Sequence, residues 1–183
     1  SESNIKRVYV IVPGPPTKKD FRQQITKLSD ADEYINEKTK YTMGKNSYNN
    51  NITRLIKEWY TIESYGEFAK KNYDDNMIIE EFSDCLFFFD EAHDIRNLKD
   101  DKGNGLTEKE TSGVYNFLWR VTHLAKRSKI IVGTATPMVN VTEDFIKLLN
   151  LLLPADNQLP ERDKDLYKQV TLNQMEPFFR GKI

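Results

Sequence analysis

Hydrophobic residues in this chain fall into short runs and periodic stretches, separated by Gly, Pro and charged residues. Cys85-Leu86-Phe87-Phe88-Phe89 is an unbroken apolar run, which suits a strand covered on both faces in a parallel sheet flanked by helices. Lys6 to Val12 is rich in β-branched residues and stops at Pro13-Gly14-Pro15-Pro16, predicting a strand that ends in a rigid turn. Trp59 to Glu63 and Lys129 to Val132 predict two further short strands. Helical periods lie between them. Thr17 with Asp20 has capping-box spacing and predicts a helix through Leu28, with Phe21, Ile25 and Leu28 on one face. Ser64 and Glu67 repeat that spacing ahead of Tyr65, Phe68 and Ala69. Asp74 to Phe82 predicts a short helix, Glu108 to Arg127 a long amphipathic one, and Thr142 to Leu153 a Leu-rich one stopped by Pro154.

Strands alternating with helices predict an α/β fold: a doubly wound, mostly parallel sheet with helices on both faces and right-handed crossovers. The C-terminal ends of its strands open on one edge, so Pro13-Gly14, Ser64-Tyr65, Asp90-Glu91 and the stretch from Gly133 to Pro137 line a single rim. Asp30 to Arg54, with four Asn between Asn46 and Asn51, interrupts the pattern and reads as a surface insertion. Asn97 to Leu106 reads as a loop. The charged tail from Ala155 to Ile183 reads as a connector, its apolar residues packing either outside this chain or back onto it.

With 183 residues and 38% hydrophobic content the chain can bury one full core. Lys+Arg 27 against Asp+Glu 28 leaves a net charge of -1, so any nucleic-acid contact comes from a local patch. The single Cys lies inside the apolar strand and reads as a small buried hydrophobe. No apolar run approaches 18 residues and the start is polar, so a soluble intracellular protein without membrane contact is expected.

Chemistry concentrates after the central strand, at Asp90-Glu91-Ala92-His93. Adjacent carboxylates at the C-terminal edge of an α/β sheet can hold a hydrated Mg²⁺ and orient a water beside a triphosphate. Equally, a strand can end in a polar turn with solvated carboxylates, and the four letters alone leave both readings open. Of the two histidines, His123 sits mid-helix with no carboxylate or Cys at ligand spacing and reads as structural. That shortage of ligands also argues against a metal hydrolase built on Asp90 and His93.

In order along the chain, Val12-Pro13-Gly14, Thr61 to Phe68, Asp90-Glu91-Ala92-His93 and Thr134-Ala135-Thr136 resemble motifs Ia, Ib, II (the Walker B or DEAH box) and III of the first RecA-like domain of superfamily-two helicases and translocases. The resemblance covers residues 6 to 154. The Gly-Thr-Ala-Thr-Pro-Met ending and the Phe178-Phe179-Arg180-Gly181-Lys182-Ile183 tail are similar to the helicase-like ATPases of large DNA viruses, the poxvirus nucleoside triphosphatase I and early-transcription-factor group. No G-x-x-x-x-G-K-[ST] string is present: Gly44-Lys45 is followed by Asn46, and Gly181-Lys182 by Ile183. The resemblance therefore implies a phosphate loop ahead of Ser1 and a second RecA-like domain after Ile183. Residues 1–154 would be a partial ATP-binding domain with the insertion at 30–54, and 155–183 the connector.

The resemblance also implies roles. Asp90 would hold Mg²⁺ through a water and Glu91 would orient and deprotonate the attacking water. His93 would hydrogen-bond toward Thr134 and Thr136, which with Ala135 couple hydrolysis to domain closure. Pro13, Gly14, Thr17, Lys18, Ser64 and Tyr65 would follow a DNA or RNA backbone. ATP and Mg²⁺ are the implied cofactors, in the intact protein only, and the activity is a nucleic-acid-dependent acid-anhydride hydrolase, inactive in this piece alone. Implied partners are the second domain, the nucleic-acid backbone and transcription machinery; a viral protein of this type would work in the virion and host cytoplasm. The rival expectation is a RecA-like scaffold without catalysis, serving as an interaction module.

Overall fold

Strand pairing organises the computed structural model, which describes residues 4–28, 54, 56–98, 105–134 and 142–161. The insertion at 30–54, apart from Arg54, lies outside the described residues, as do Ala135, Thr136 and the tail from 162. Strands β1 (Arg7–Val12), β2 (Tyr60–Ser64), β3 (Cys85–Phe89) and β4 (Lys129–Val132) form one sheet in the order β2-β1-β3-β4. Every pair is parallel, with Val12 opposite Ser64, Ile11 opposite Phe89, and Phe89 opposite Val132. Helices α1 (Pro15–Leu28), α2 (Tyr65–Ala69), α3 (Asp75–Phe82), α4 (Glu108–Leu124) and α5 (Thr142–Asn150) alternate with the strands, and a 3₁₀ turn spans Ala92–Asn97. The fold is thus an α/β sheet of the all-parallel kind, consistent with a RecA-like architecture.

The period of two along each strand sorts side chains to opposite faces. Val10 and Val12 of β1 join Ile62 and Phe88 beneath Phe21 and Ile25 of α1. Tyr9 and Ile11 face the other way, with Cys85, Phe87 and Phe89, into the larger core under α2, α3 and α4. Aromatic rings fill that core. Tyr9 stacks on Phe87 at 5.2 Å and 14°, Phe82 meets Tyr9 edge-on at 5.2 Å, and Phe68 meets Phe117 at 5.3 Å. Offset and edge-to-face contacts of this kind add to the burial of large apolar area.

Several boundaries differ from expectation for physical reasons. Helix α1 opens at Pro15-Pro16, not at a Thr17 cap: two prolines suit a first turn whose N–H groups have no helical partner, and Lys18 N–H already donates to the Gly14 carbonyl at 3.1 Å. Strand β2 starts at Tyr60 and runs into Ser64, leaving Trp59 outside the strand and 45% exposed. Helix α4 has a Thr107–Glu110 capping box and stops at Leu124, because the chain must return to the start of β4 through Arg127, in left-handed conformation at φ 55°. Helix α5 ends at Asn150, whose buried amide exchanges hydrogen bonds of 2.8 Å with the main chain of Leu159. Residues 155–161 accordingly fold back, with Leu159 packed on Ile146, Leu149 and Leu153.

His123 is structural, as read from sequence. Its ring stacks on Trp119 at 4.2 Å and its Nε2 lies 2.9 Å from the Leu153 carbonyl. Among the described residues no helix is long and apolar enough to cross a membrane.

Phe82 touches strand, α2 and α4 rings at once and is fully buried. Phe82→Ala should lower unfolding free energy by about 3–5 kcal/mol in urea titrations, whereas Met77→Ala, on the exposed side of the same helix, should change it by less than about 0.5 kcal/mol.

Candidate functional site at the carboxyl edge of the sheet

The parallel sheet carries the ends of its strands to one edge, and β3 delivers Asp90 and Glu91 there. Main-chain bonds fix this turn. Asp90 N–H donates to the Ile11 carbonyl at 2.8 Å, extending the β1–β3 ladder by one residue. On the other side Gly133 N–H donates to the Phe89 carbonyl at 2.8 Å, and Ala92 N–H to the Gly133 carbonyl at 3.1 Å. Gly133 suits that place because a Cβ there would stand 3.1 Å from the Phe88 ring. Between these anchors Glu91 takes the left-handed conformation, φ 46° and ψ 47°, which costs a non-glycine residue about 1–2 kcal/mol. Such strain persists only where the surroundings over-determine it.

Side chains then converge. His93 Nδ1 lies 2.8 Å from Thr134 Oγ1 and 3.3 Å from Glu91 Oε2, so one ring nitrogen joins the acidic turn to the end of β4. The Asp90 carboxyl is pushed above its ordinary value, first by burial and then by the charge of neighbouring Glu91. A cation at this position would offset both causes. Among the described residues no three His, Cys, Asp or Glu side chains group to form a metal site by themselves.

Other residues named from sequence divide between the rim and the interior. Pro13, Gly14, Thr17 and Lys18 stand partly exposed at the bend after β1 and in the first turn of α1. Lys18 is not a free cation there: its Nζ meets Glu67 Oε2 at 2.8 Å, the anion that its place in a first turn calls for. Burial pushes the Glu67 carboxyl up, but the Lys18 hydrogen bond and charge and the Ser64 main-chain N–H outweigh it and hold that carboxyl below its ordinary value. Ser64 caps α2 by accepting from Glu67 N–H at 3.3 Å, and is 8% exposed. Tyr65 is fully buried, and its hydroxyl donates to the Asp90 carbonyl at 2.9 Å. Ser64 is thus engaged as a helix cap and Tyr65 as a core ring, so little of either side chain reaches the surface of the rim. Ala135 and Thr136 lie outside the described residues.

The Tyr65–Asp90 and Lys18–Glu67 contacts were not foreseen from sequence. The capping box of Ser64 and Glu67 signalled where α2 begins, but nothing in the spacing says what lies across the sheet from it.

No protein-family model matches the chain. The chain is 24% identical over 181 residues, 98% of its length, to a protein of Invertebrate iridescent virus 3 named "Putative helicase 087L". It is 26% identical over 196 aligned residues, 86% of its length, to a protein of Acanthamoeba polyphaga mimivirus named "Putative ATP-dependent RNA helicase L377". It spans 17% and 15% of the lengths of these relatives. Both likenesses are distant, and together they support a helicase-like family.

Because folding raises the Asp90 pKa, the folded state holds this proton more tightly than the unfolded chain does. The stability Asp90 contributes is full below the ordinary carboxylate range and is lost as pH rises through the raised value. Asp90→Asn should therefore raise Tm at pH 7, with the gain shrinking toward pH 3; thermal unfolding of both forms across that range checks the sign.

Proposed function

We propose that this chain is part of the first RecA-like domain of a superfamily-two helicase or translocase, with Asp90-Glu91-Ala92-His93 as its DEAH box. The observation that carries this reading is the Glu91–His93–Thr134 cluster, where His93 Nδ1 lies within 3.3 Å of both the candidate base and a hydroxyl from the next strand end. Solvated turn residues need no such convergence. The distant likeness to two viral proteins named as helicases points the same way.

In this reading Glu91 accepts a proton from the water that attacks the terminal phosphoryl of ATP. Its strained backbone and its neighbour His93 set where the carboxylate stands. Asp90 fits a hydrated Mg²⁺: it is a hard oxygen donor at a strand end, and burial and Glu91 make its bare charge costly. When bound, that ion would neutralise phosphate charge. His93 relays the state of the nucleotide to β4 through Thr134, and Thr136 is proposed to share that work. Strand β4 is an edge among the described strands, with Ile131 48% exposed beside a groove of about 600 Å³ lined in part by Val132, Leu152 and Pro154. A further parallel strand bringing the phosphate loop fits there, in the longer protein that the relatives' lengths suggest. Pro13, Gly14, Thr17 and Lys18 would meet DNA or RNA phosphates, a contact that positions without reading sequence. Lys18 would have to exchange Glu67 for phosphate to do so. A role in viral transcription belongs to the same proposal.

In the longer protein, Glu91→Gln should cut nucleic-acid-stimulated ATP hydrolysis by at least about 10²–10⁴-fold and leave ATP binding within a few-fold. Thr134→Ala should instead retain hydrolysis and impair strand displacement or translocation. Near-normal turnover in Glu91→Gln would make Glu91 a solvated turn residue and overturn the DEAH-box reading, whereas absence of turnover in the unmutated longer protein would favour the RecA-like scaffold.

A further inference from the structure

We propose that Tyr65 is a positioning residue for the acidic turn, acting through the peptide group that joins Asp90 to Glu91. The inference rests on the proposed ATPase reading for its consequence in turnover, but its geometry stands independently. A peptide unit is planar, so the direction of the Asp90 carbonyl fixes ψ of Asp90 and φ of Glu91 together. Those angles decide where both carboxylates point. The Tyr65 hydroxyl donates to that carbonyl at 2.9 Å. The other anchors of the turn, from Asp90 N–H to Ile11, Gly133 N–H to Phe89 and Ala92 N–H to Gly133, join main chain to main chain and form with almost any side chains. Tyr65, like His93 on the Glu91 carboxylate, is an anchor that side-chain identity must supply, and it acts on the Asp90 carbonyl.

Packing alone does not call for tyrosine here. The ring is fully buried and lies 6.5 Å from the Phe89 ring, contacts that phenylalanine would also make. Burying a hydroxyl is unfavourable unless it finds a partner, and the partner is the carbonyl next to the strained residue. Tyr65 can reach it because it opens α2 directly after β2, and α2 is held by the reciprocal Ser64–Glu67 cap and by Lys18 on Glu67. From the end of β2 the phenol passes the end of β1 to reach the end of β3. The hydroxyl thus opposes any flip of the Asp90–Glu91 peptide out of the left-handed turn.

The test compares Tyr65→Phe with Tyr9→Phe in the longer protein. Tyr9 is a second buried tyrosine whose hydroxyl donates to Glu81 Oε1 at 2.8 Å, away from the turn, so it controls for loss of one buried hydrogen bond. Tyr65→Phe is expected to lower kcat for ATP about tenfold with KM within twofold, and to speed amide exchange about tenfold in a peptide covering residues 87–95. Tyr9→Phe should do neither, with a similar Tm. Unchanged exchange at residues 87–95 in Tyr65→Phe overturns the proposal, as does equal loss of kcat in both variants. If the unmutated protein hydrolyses no ATP while the exchange difference appears, the positioning role stands and the ATPase reading fails.

Discussion

Hydrogen bonding of β3 on both sides leaves the residues after it little freedom, and the candidate site depends on that constraint. β1 reaches past the strand to take Asp90 N–H, and β4 reaches past it to hold Phe89 and Ala92. A central parallel strand is buried by helices on both faces, so its end is also the place where a polar group first meets solvent. The chain has used that place for two adjacent carboxylates and a residue in the left-handed region. A loop without flanking strands would relax out of such a conformation. Here relaxation would break bonds to both neighbours.

The two edges of the sheet treat charge differently. At the amino edge, Asp84 and Arg127, both in left-handed conformation, meet through a bidentate pair of 2.6 Å bonds, and Ser128 ties the Phe82 carbonyl to Cys85 N–H. The Arg127 hydrogen bond, opposed by burial and helped by the Arg127 charge, holds the Asp84 carboxyl below its ordinary value. At the carboxyl edge Asp90 is pushed the opposite way, by burial and by a like charge beside it. One edge satisfies its charges within the fold. The other holds the Asp90 charge at a cost that the fold itself does not offset.

Much of this was legible in the sequence. The uninterrupted run from Cys85 to Phe89 announced a central strand, and β-branched residues before Pro13 announced its neighbour, because burial on two faces imposes that composition directly. The family resemblance would place His93 near Thr134 and Thr136; His93 Nδ1 lies 2.8 Å from Thr134 Oγ1, and Thr136 lies outside the described residues. What sequence could not supply were contacts between residues brought together by the sheet order. Lys18 and Glu67, or Tyr65 and Asp90, are paired by the placing of β1 between β2 and β3, which no periodicity encodes. Helix starts went astray where two signals competed: Thr17–Asp20 had cap spacing, but the prolines before it already satisfied the first turn.

These contacts make α2 more than a short connector. It begins with a buried tyrosine on the acidic turn and carries, two residues on, the glutamate that answers Lys18 at the start of α1. A helix of five residues has little stability of its own, so its position depends on its cap, its buried rings and that ion pair. Lys18 is exposed by only a fifth and Glu67 by two fifths, so the pair is partly shielded and its loss would be felt by the cap that Glu67 also completes. Any anion that drew Lys18 away would leave Glu67 with the Ser64 amide and hydroxyl as partners. The bend after β1 and the acidic turn after β3 are thus joined through one helix, which carries Glu67 toward the first and Tyr65 toward the second.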